Sequence, residues 1–352
     1  MHLISTEQVS KYHPDKVADQ ISDAIVTECL RKDPRSHVAV ECLIKSNLVV
    51  LAGELTTKAE IDYEEVALRV LRSLHYNDPY TFVINITKQS AEINKAVNIY
   101  GDLDIGAGDQ GIMYGFATRE TQSRLPWPFD MANKIIKAIE EDIGAKGSDC
   151  ILKGDAKTQV TADLDSEQRI AETIIVSACH VPEVEDSYLY NYIAELLKSA
   201  GVKYKELVVN PGGRWTVGGP SADCGVTGRK IVCDQYGGLT AVGGGAFSGK
   251  DPTKVDRSAS YMARHLAMRV IDKFNEVNWC EIQLAYGIGM TQPVSVAIRT
   301  NLADQTEVEE FVMSHNLTPK GIIEALDLLK VDYEALAQGC HYRYDWTKAH
   351  SR

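Results

Sequence analysis

Positive charge is scarce in this chain. Its 352 residues carry 37 Lys and Arg against 49 Asp and Glu, a net charge of −12. That balance excludes an extended nucleic-acid surface, which needs an excess of Lys and Arg over one face. Basic residues with a function are therefore expected to be gathered in a pocket. No two of the eight cysteines form a Cys-x-x-Cys pair, which argues against a zinc ribbon or a thioredoxin-type motif. They read as small core residues. No apolar run approaches membrane length, and the opening residues are not expected to act as a secretory leader. The expectation is a reduced, cytoplasmic protein that binds neither membrane nor nucleic acid. A P-loop is missing as well. Gly244–Lys250 (GGAFSGK) has the G-x-x-x-x-G-K spacing, but Asp251 and Pro252 stand where Ser or Thr would hold Mg²⁺.

What is present is concentrated. Twelve of the 26 glycines fall between Asn210 and Arg257, together with Asp223, Arg229, Lys230, Lys250, Lys254 and Asp256. Glycine lets backbone N–H groups approach an anion closely. Arg and Lys bring charge to the same anion, and carboxylates among them suit a metal ion or a cationic substrate group. Amides, cations and carboxylates together match a polyphosphate with Mg²⁺.

In chain order, a short strand leads to His13-Pro14-Asp15-Lys16 and a helix in which Val17, Ile21, Ala24 and Ile25 recur at helical spacing. Orphan N–H groups at its start favour anions, although Asp15 can equally serve only as a cap. His37–Ile44 and Leu48–Leu55 alternate about a Ser46-Asn47 turn. That register puts Glu41 opposite Ala52, with Glu54 a diagonal neighbour. Glu41 then lies mid-strand among apolar residues, where a lone carboxylate is costly; a cation or an Arg from elsewhere would resolve this. Residues 89–107 lack a clean period and read as a lid or a linker.

Helices are expected over 61–74, 130–143, 187–199, 256–274, 308–314 and 320–329. Strands are expected over 81–86, 113–117, 158–164, 169–179, 207–210, 281–288 and 294–299. Hairpins and single helices alternate three times, which predicts an α+β protein of three similar units in pseudo-threefold arrangement, mixed and antiparallel sheets packed on helices. The units are placed at 1–92, 107–217 and 218–352, with 93–106 as linker.

HPDK, GAGDQG, DAKTQVT, GGPSADCGVTGRK and GGGAFSGKDPTKVDRSASY together resemble the S-adenosylmethionine synthetase family, from about residue 3 to 345. The resemblance implies transfer of the adenosyl group of ATP to methionine, with loss of tripolyphosphate and its hydrolysis to pyrophosphate and phosphate. It implies two Mg²⁺, one K⁺, and a homodimer or dimer of dimers sharing sites across a flat sheet face. Carried over by position, His13 contacts the triphosphate at the breaking bond, and Asp15 and Asp256 hold Mg²⁺ while Glu41 holds K⁺. Glu54 and Gln89 help to bind methionine. Asp155, Ala156 and Lys157 face ATP, Arg214 precedes Trp215, and Trp215 stacks on adenine in the family's usual Phe position. Asp223 reaches both substrates. Arg229, Lys230, Ala246 and Lys250 line the phosphates, and Lys254 neutralises the methionine carboxylate. Asp109 lies near the site. Lys11-Tyr12 replaces the family's usual Glu-Gly before HPDK, NPGGRW replaces NPTGRF, and DIGAGDQG lacks a common Glu. Two rival readings are a nucleotide-binding regulatory subunit without transfer activity, and a phosphatase or kinase using the same pocket. Retention of every matched charge argues against the first. The Glu54, Gln89 and Lys254 set, suited to an amino acid, argues against the second.

Overall fold

The computed structural model describes residues 2–88 and 105–346. Gln89 and most of the expected lid lie outside the described residues.

The chain repeats one pattern: a strand, a long helix, a hairpin, then a helix. In the first pass these are β1 (Leu3–Val9), α1 (Pro14–Lys32), β2 (His37–Lys45) with β3 (Leu48–Thr56), and α2 (Tyr63–Ser73), which crosses to a parallel strand β4 (Thr81–Thr87). The second pass is β5 (Gly111–Thr118), α3 (Trp127–Lys146), β6 (Leu152–Asp163) with β7 (Ala171–His180), and α4 (Asp186–Ser199), again crossing to a parallel strand, β8 (Tyr204–Val209). The third is β9 (Gly225–Val226), α5 (Val255–Lys273), β10 (Trp279–Tyr286) with β11 (Ser295–Thr300), and α6 (Thr306–Met313). The expected elements are therefore found; those expected over 113–117, 130–143 and 158–164 are longer, and those over 61–74 and 320–329 are shorter.

The sheets do not close within these passes. Their orders are β4-β3-β2-β9, β1-β6-β7-β8 and β11-β10-β5. In each pass the opening strand leaves and pairs antiparallel with the first hairpin strand of another: β1 with β6, β5 with β10, β9 with β2. The exchange is cyclic, so every sheet holds a strand from a neighbouring segment. Periodicity shows where a strand is, not which strand it pairs with, and the two-residue β9 carries no period at all.

The long helices cover the inner faces of the sheets. Val17, Ile21, Ala24 and Ile25 of α1 are fully buried with Val38, Val40, Cys42 and Ile44 of β2. The Glu41–Ala52 pairing is as expected. The burial expected of Glu41 is not: it points to the other, outer face and is exposed. Residues two apart on a strand share a face, so Ala39, Leu43 and Glu41 stand together, away from the core. No desolvation cost has to be offset there in one copy of the chain. The outer faces also expose Leu43, Val83 and Ile112. The tail packs back on the body: Trp346 is buried, its ring 4.2 Å from that of Tyr261. No helix among the described residues is long and apolar enough to cross a membrane.

Candidate active site

Three aspartates of α1, spaced four apart, hold the glycine-rich stretch in place. Such spacing lines up one face of a helix. Asp15 Oδ1 accepts from Val226 N (2.9 Å), Asp19 Oδ1 from Gly228 N (2.8 Å), and Asp23 Oδ1 from Gly249 N (2.9 Å). Each aspartate also meets a cation: Lys230 on Asp15, Lys16 on Asp19, Arg257 on Asp23. Lys16 also donates to Asp234 at 2.6 Å. Burial would lower the Lys16 pKa, but its two carboxylates raise it, so the ammonium stays charged. The edge of β2 takes the same stretch. Gly225 and Val226 lie against Ile44 and Leu43, and Lys250 lies against Ala39. Backbone that would otherwise be a loop is thus bonded on two sides, and its side chains are presented in fixed directions.

The roles of Asp19 and Asp23, with Lys16, Arg257 and Asp234, are not apparent from the sequence motifs. The visible signal is acidic residues spaced four apart along a helix, which ordinarily marks a solvated face. Asp251, where a P-loop needs Ser or Thr, is fully buried and accepts from Val38 N at 2.6 Å and from Lys254. Its charge is directed into the protein rather than toward a bound phosphate.

The expected site residues fall into two groups. The first is built on the start of α1. His13, not Asp15, is the N-cap: its Nδ1 accepts from Asp15 N at 3.1 Å. The reading of Asp15 as merely a cap is thereby corrected. Burial, then the charges of Lys230 and Lys157, push the His13 pKa down to about 3. The imidazole is neutral at pH 7. With Nδ1 accepting, the single proton lies on Nε2, which is a donor. Burial alone would raise the Asp15 carboxyl, but the Lys230 ammonium at 2.5 Å and the Val226 N–H bring it below its ordinary value. Arg229 Nε lies 3.5 Å from the same carboxylate. Asp223 is exposed, yet its charge is felt at both His13 and Asp155, as is that of Lys157.

Asp155 lies under the loop that follows Trp215. Its Oδ2 accepts from Gly219 N at 2.7 Å, while Oδ1 is buried with no partner among the described residues. Burial raises its pKa to about 6, against the lowering effect of the Gly219 N–H. A folded form that binds a proton more tightly than the unfolded one loses stability as pH rises from about 4 to about 6. Asp155→Asn is therefore expected to be more stable than the parent at pH 8 by roughly 1–3 kcal/mol, with the gap closing near pH 4. Thermal melts at the two pH values check this; no difference at pH 8 would rule it out. Ala156 N donates to Ser10 Oγ. Arg214 donates to the carbonyls of Pro182 and Val184, and the half-buried Trp215 donates from Nε1 to Val217 O at 2.7 Å.

Tyr12, one of the departures from the family's pattern, packs into this region. Its carbonyl accepts from Tyr76 Oη at 2.8 Å. Its ring lies over Gly154, where an added Cβ would come within 2.6 Å of it. Gly154 has φ +103°, a conformation that also disfavours a side chain. The residue before His13 is thereby tied to the residue before Asp155.

The second group surrounds Lys250. Its Nζ lies 2.6 Å from Asp256 Oδ2. Gly245 and Gly111 approach the Asp256 carboxylate so closely that a Cβ would stand 2.3 and 3.2 Å from Oδ1. Glu54, half-buried, is opposite Ala39, beside which Lys250 pairs. Lys254 is tied to Asp251, and Asp109 is exposed, accepting from its neighbour Gln110 N. Ala246 lies between the groups, against Gly228. Among the described residues no hydrogen bond or ion pair joins Lys250 or Asp256 to the His13 group.

Among the described residues no three His, Cys, Asp or Glu converge as a metal cage. Asp15 and Asp256 are single hard-oxygen donors, each already neutralising a cation. That fits Mg²⁺, which is commonly held by one or two carboxylates plus substrate phosphates.

Family models match nearly the whole chain in three consecutive pieces: the N-terminal domain of S-adenosylmethionine synthetase over residues 1–98, its central domain over 104–215 and its C-terminal domain over 217–349. The S-adenosylmethionine synthase of Salinibacter ruber (strain DSM 13855 / M31) is 40% identical over 362 aligned positions, spanning 97% of this chain and 93% of that protein. With motifs, fold and site geometry in agreement, the chain belongs to the S-adenosylmethionine synthetase family.

Proposed function

We propose that the chain makes S-adenosylmethionine: the sulfur of methionine attacks C5′ of ATP and expels tripolyphosphate, which the same site splits into pyrophosphate and phosphate. The observation that carries this reading is the His13 group. A neutral imidazole with its N–H on Nε2 lies beside Asp15, whose carboxylate meets Arg229 and Lys230, on a backbone fixed by buried carboxylates. Nε2–H would donate to the oxygen leaving C5′. Arg229 and Lys230 would meet the charge that grows on the phosphates, and fixed cations need no reorganisation as it grows. A thioether carries no proton to remove, so the first step asks for no general base. Alignment of sulfur, C5′ and leaving oxygen contributes the rest.

Lys157 and the buried Oδ1 of Asp155 face the nucleotide, and Trp215 offers a ring for adenine. Asp223, Glu54 and Lys254 suit the ammonium and carboxylate of methionine; Lys254 would divide its bonding with Asp251. Two Mg²⁺ held by Asp15 and Asp256 would add positive charge at the phosphates, and Glu41 would hold K⁺. The reading includes a homodimer or dimer of dimers whose copies share sites. The exposed outer sheet faces supply the surface for it. Incubation with ATP and methionine should give a sulfonium product by mass, from a species that sediments as dimer or larger. No sulfonium would remove the reaction, and a fully active monomer would remove the shared site.

A further inference from the structure

Four of the cation–carboxylate pairs on or beside α1 and α5 are of two kinds. Lys16 with Asp19 and Arg257 with Asp23 are sealed from solvent. Lys230 and Lys250 are not: their side chains are 20% and 23% exposed, while the partner carboxylates, Asp15 and Asp256, are the two that suit a metal. In both, Nζ sits on Oδ2, at 2.5 and 2.6 Å. The same arrangement occurs twice, in two groups built from different parts of the chain.

We propose that these two ammonium groups hold the carboxylate oxygens that a divalent ion would take, so that entry of the ion and release of the lysine toward phosphate are one exchange. The proposal rests on the reading above that Asp15 and Asp256 hold metal. Lysine is a hydrated point charge on a flexible stem and can swing between two anions. A lone carboxylate already neutralised by an ammonium is a poor site for Mg²⁺, which gives up water reluctantly. A polyphosphate changes both sides of the balance: it offers oxygens to the metal and a second anion to the lysine. Metal and polyphosphate therefore each raise the affinity of the other. The two positions are not equal. Both oxygens of Asp15 are engaged, Oδ1 by Val226 N and Oδ2 by Lys230, so there the metal has to displace the lysine. At Asp256, Oδ1 faces glycines, and exchange is less strict.

The test is binding of Mn²⁺, followed by electron paramagnetic resonance, to the full chain with and without a non-hydrolysable ATP analogue. The parent should bind Mn²⁺ weakly alone and at least tenfold more tightly with the analogue. Lys230→Met should bind Mn²⁺ alone about tenfold more tightly than the parent, the factor set by losing a partly buried competing charge, and Lys250→Met less so. Equal analogue-free affinity in the parent and both variants overturns the exchange and leaves the metal assignment standing. Unchanged binding by Asp15→Asn with the analogue overturns the metal assignment itself. Should either lysine variant misfold, the parent alone decides: equal Mn²⁺ affinity with and without the analogue rules the exchange out.

Discussion

Asp23→Ala is expected to remove about 3–5 kcal/mol of folding stability, far more than an exposed aspartate would. The reason is what stays behind. Arg257 is fully buried, donates to both oxygens of Asp23 and to Lys250 O, and lies 4.4 Å from the Tyr333 ring. Truncating the acid strands that guanidinium without a counter-charge and leaves Gly249 N unpaired. Denaturant unfolding at fixed protein concentration measures the loss. A loss below about 1 kcal/mol, the scale of a surface pair, would show that the staple on the glycine-rich stretch is dispensable. Replacing both partners by apolar residues should cost less than the single change, since no lone charge then remains.

The opposite profile is expected at Lys250 and Asp256. Lys250→Ala or Asp256→Asn should reduce turnover by about 10²–10³-fold, the scale of removing one fixed charge stabiliser. The melting temperature should barely move, because both groups are partly exposed and pair mainly with each other. Steady-state kinetics beside thermal melts separate the two. Equal loss of fold and activity would place these residues in the scaffold rather than the chemistry. Together with Asp23→Ala the pair of results would divide the stretch into what holds it and what it holds.

Much of this was legible in the residues. The hairpin register followed from a two-residue turn and alternation, and it located Glu41 and Glu54 correctly along their strands. The glycine-rich stretch announced anion chemistry because glycine and cations were concentrated together. Three things were not legible. The outward direction of Glu41 depends on which face the helices cover, which alternation alone leaves open. Asp19 and Asp23 act on backbone N–H groups more than 200 residues away, and a backbone group has no signature in a sequence. The pairing of Gly225, Val226 and Lys250 with β2 joins distant segments, for which local periodicity contains no information.

The circular lending of β1, β5 and β9 has a bearing on how the chain can be made and cut. A fragment spanning any single repeat would keep a hairpin lacking its flanking partner and a strand with no sheet to join. Synthesis from the ribosome therefore cannot finish the first layer until Gly225 and Val226 have emerged, and unfolding should be one concerted event rather than a series of domain losses.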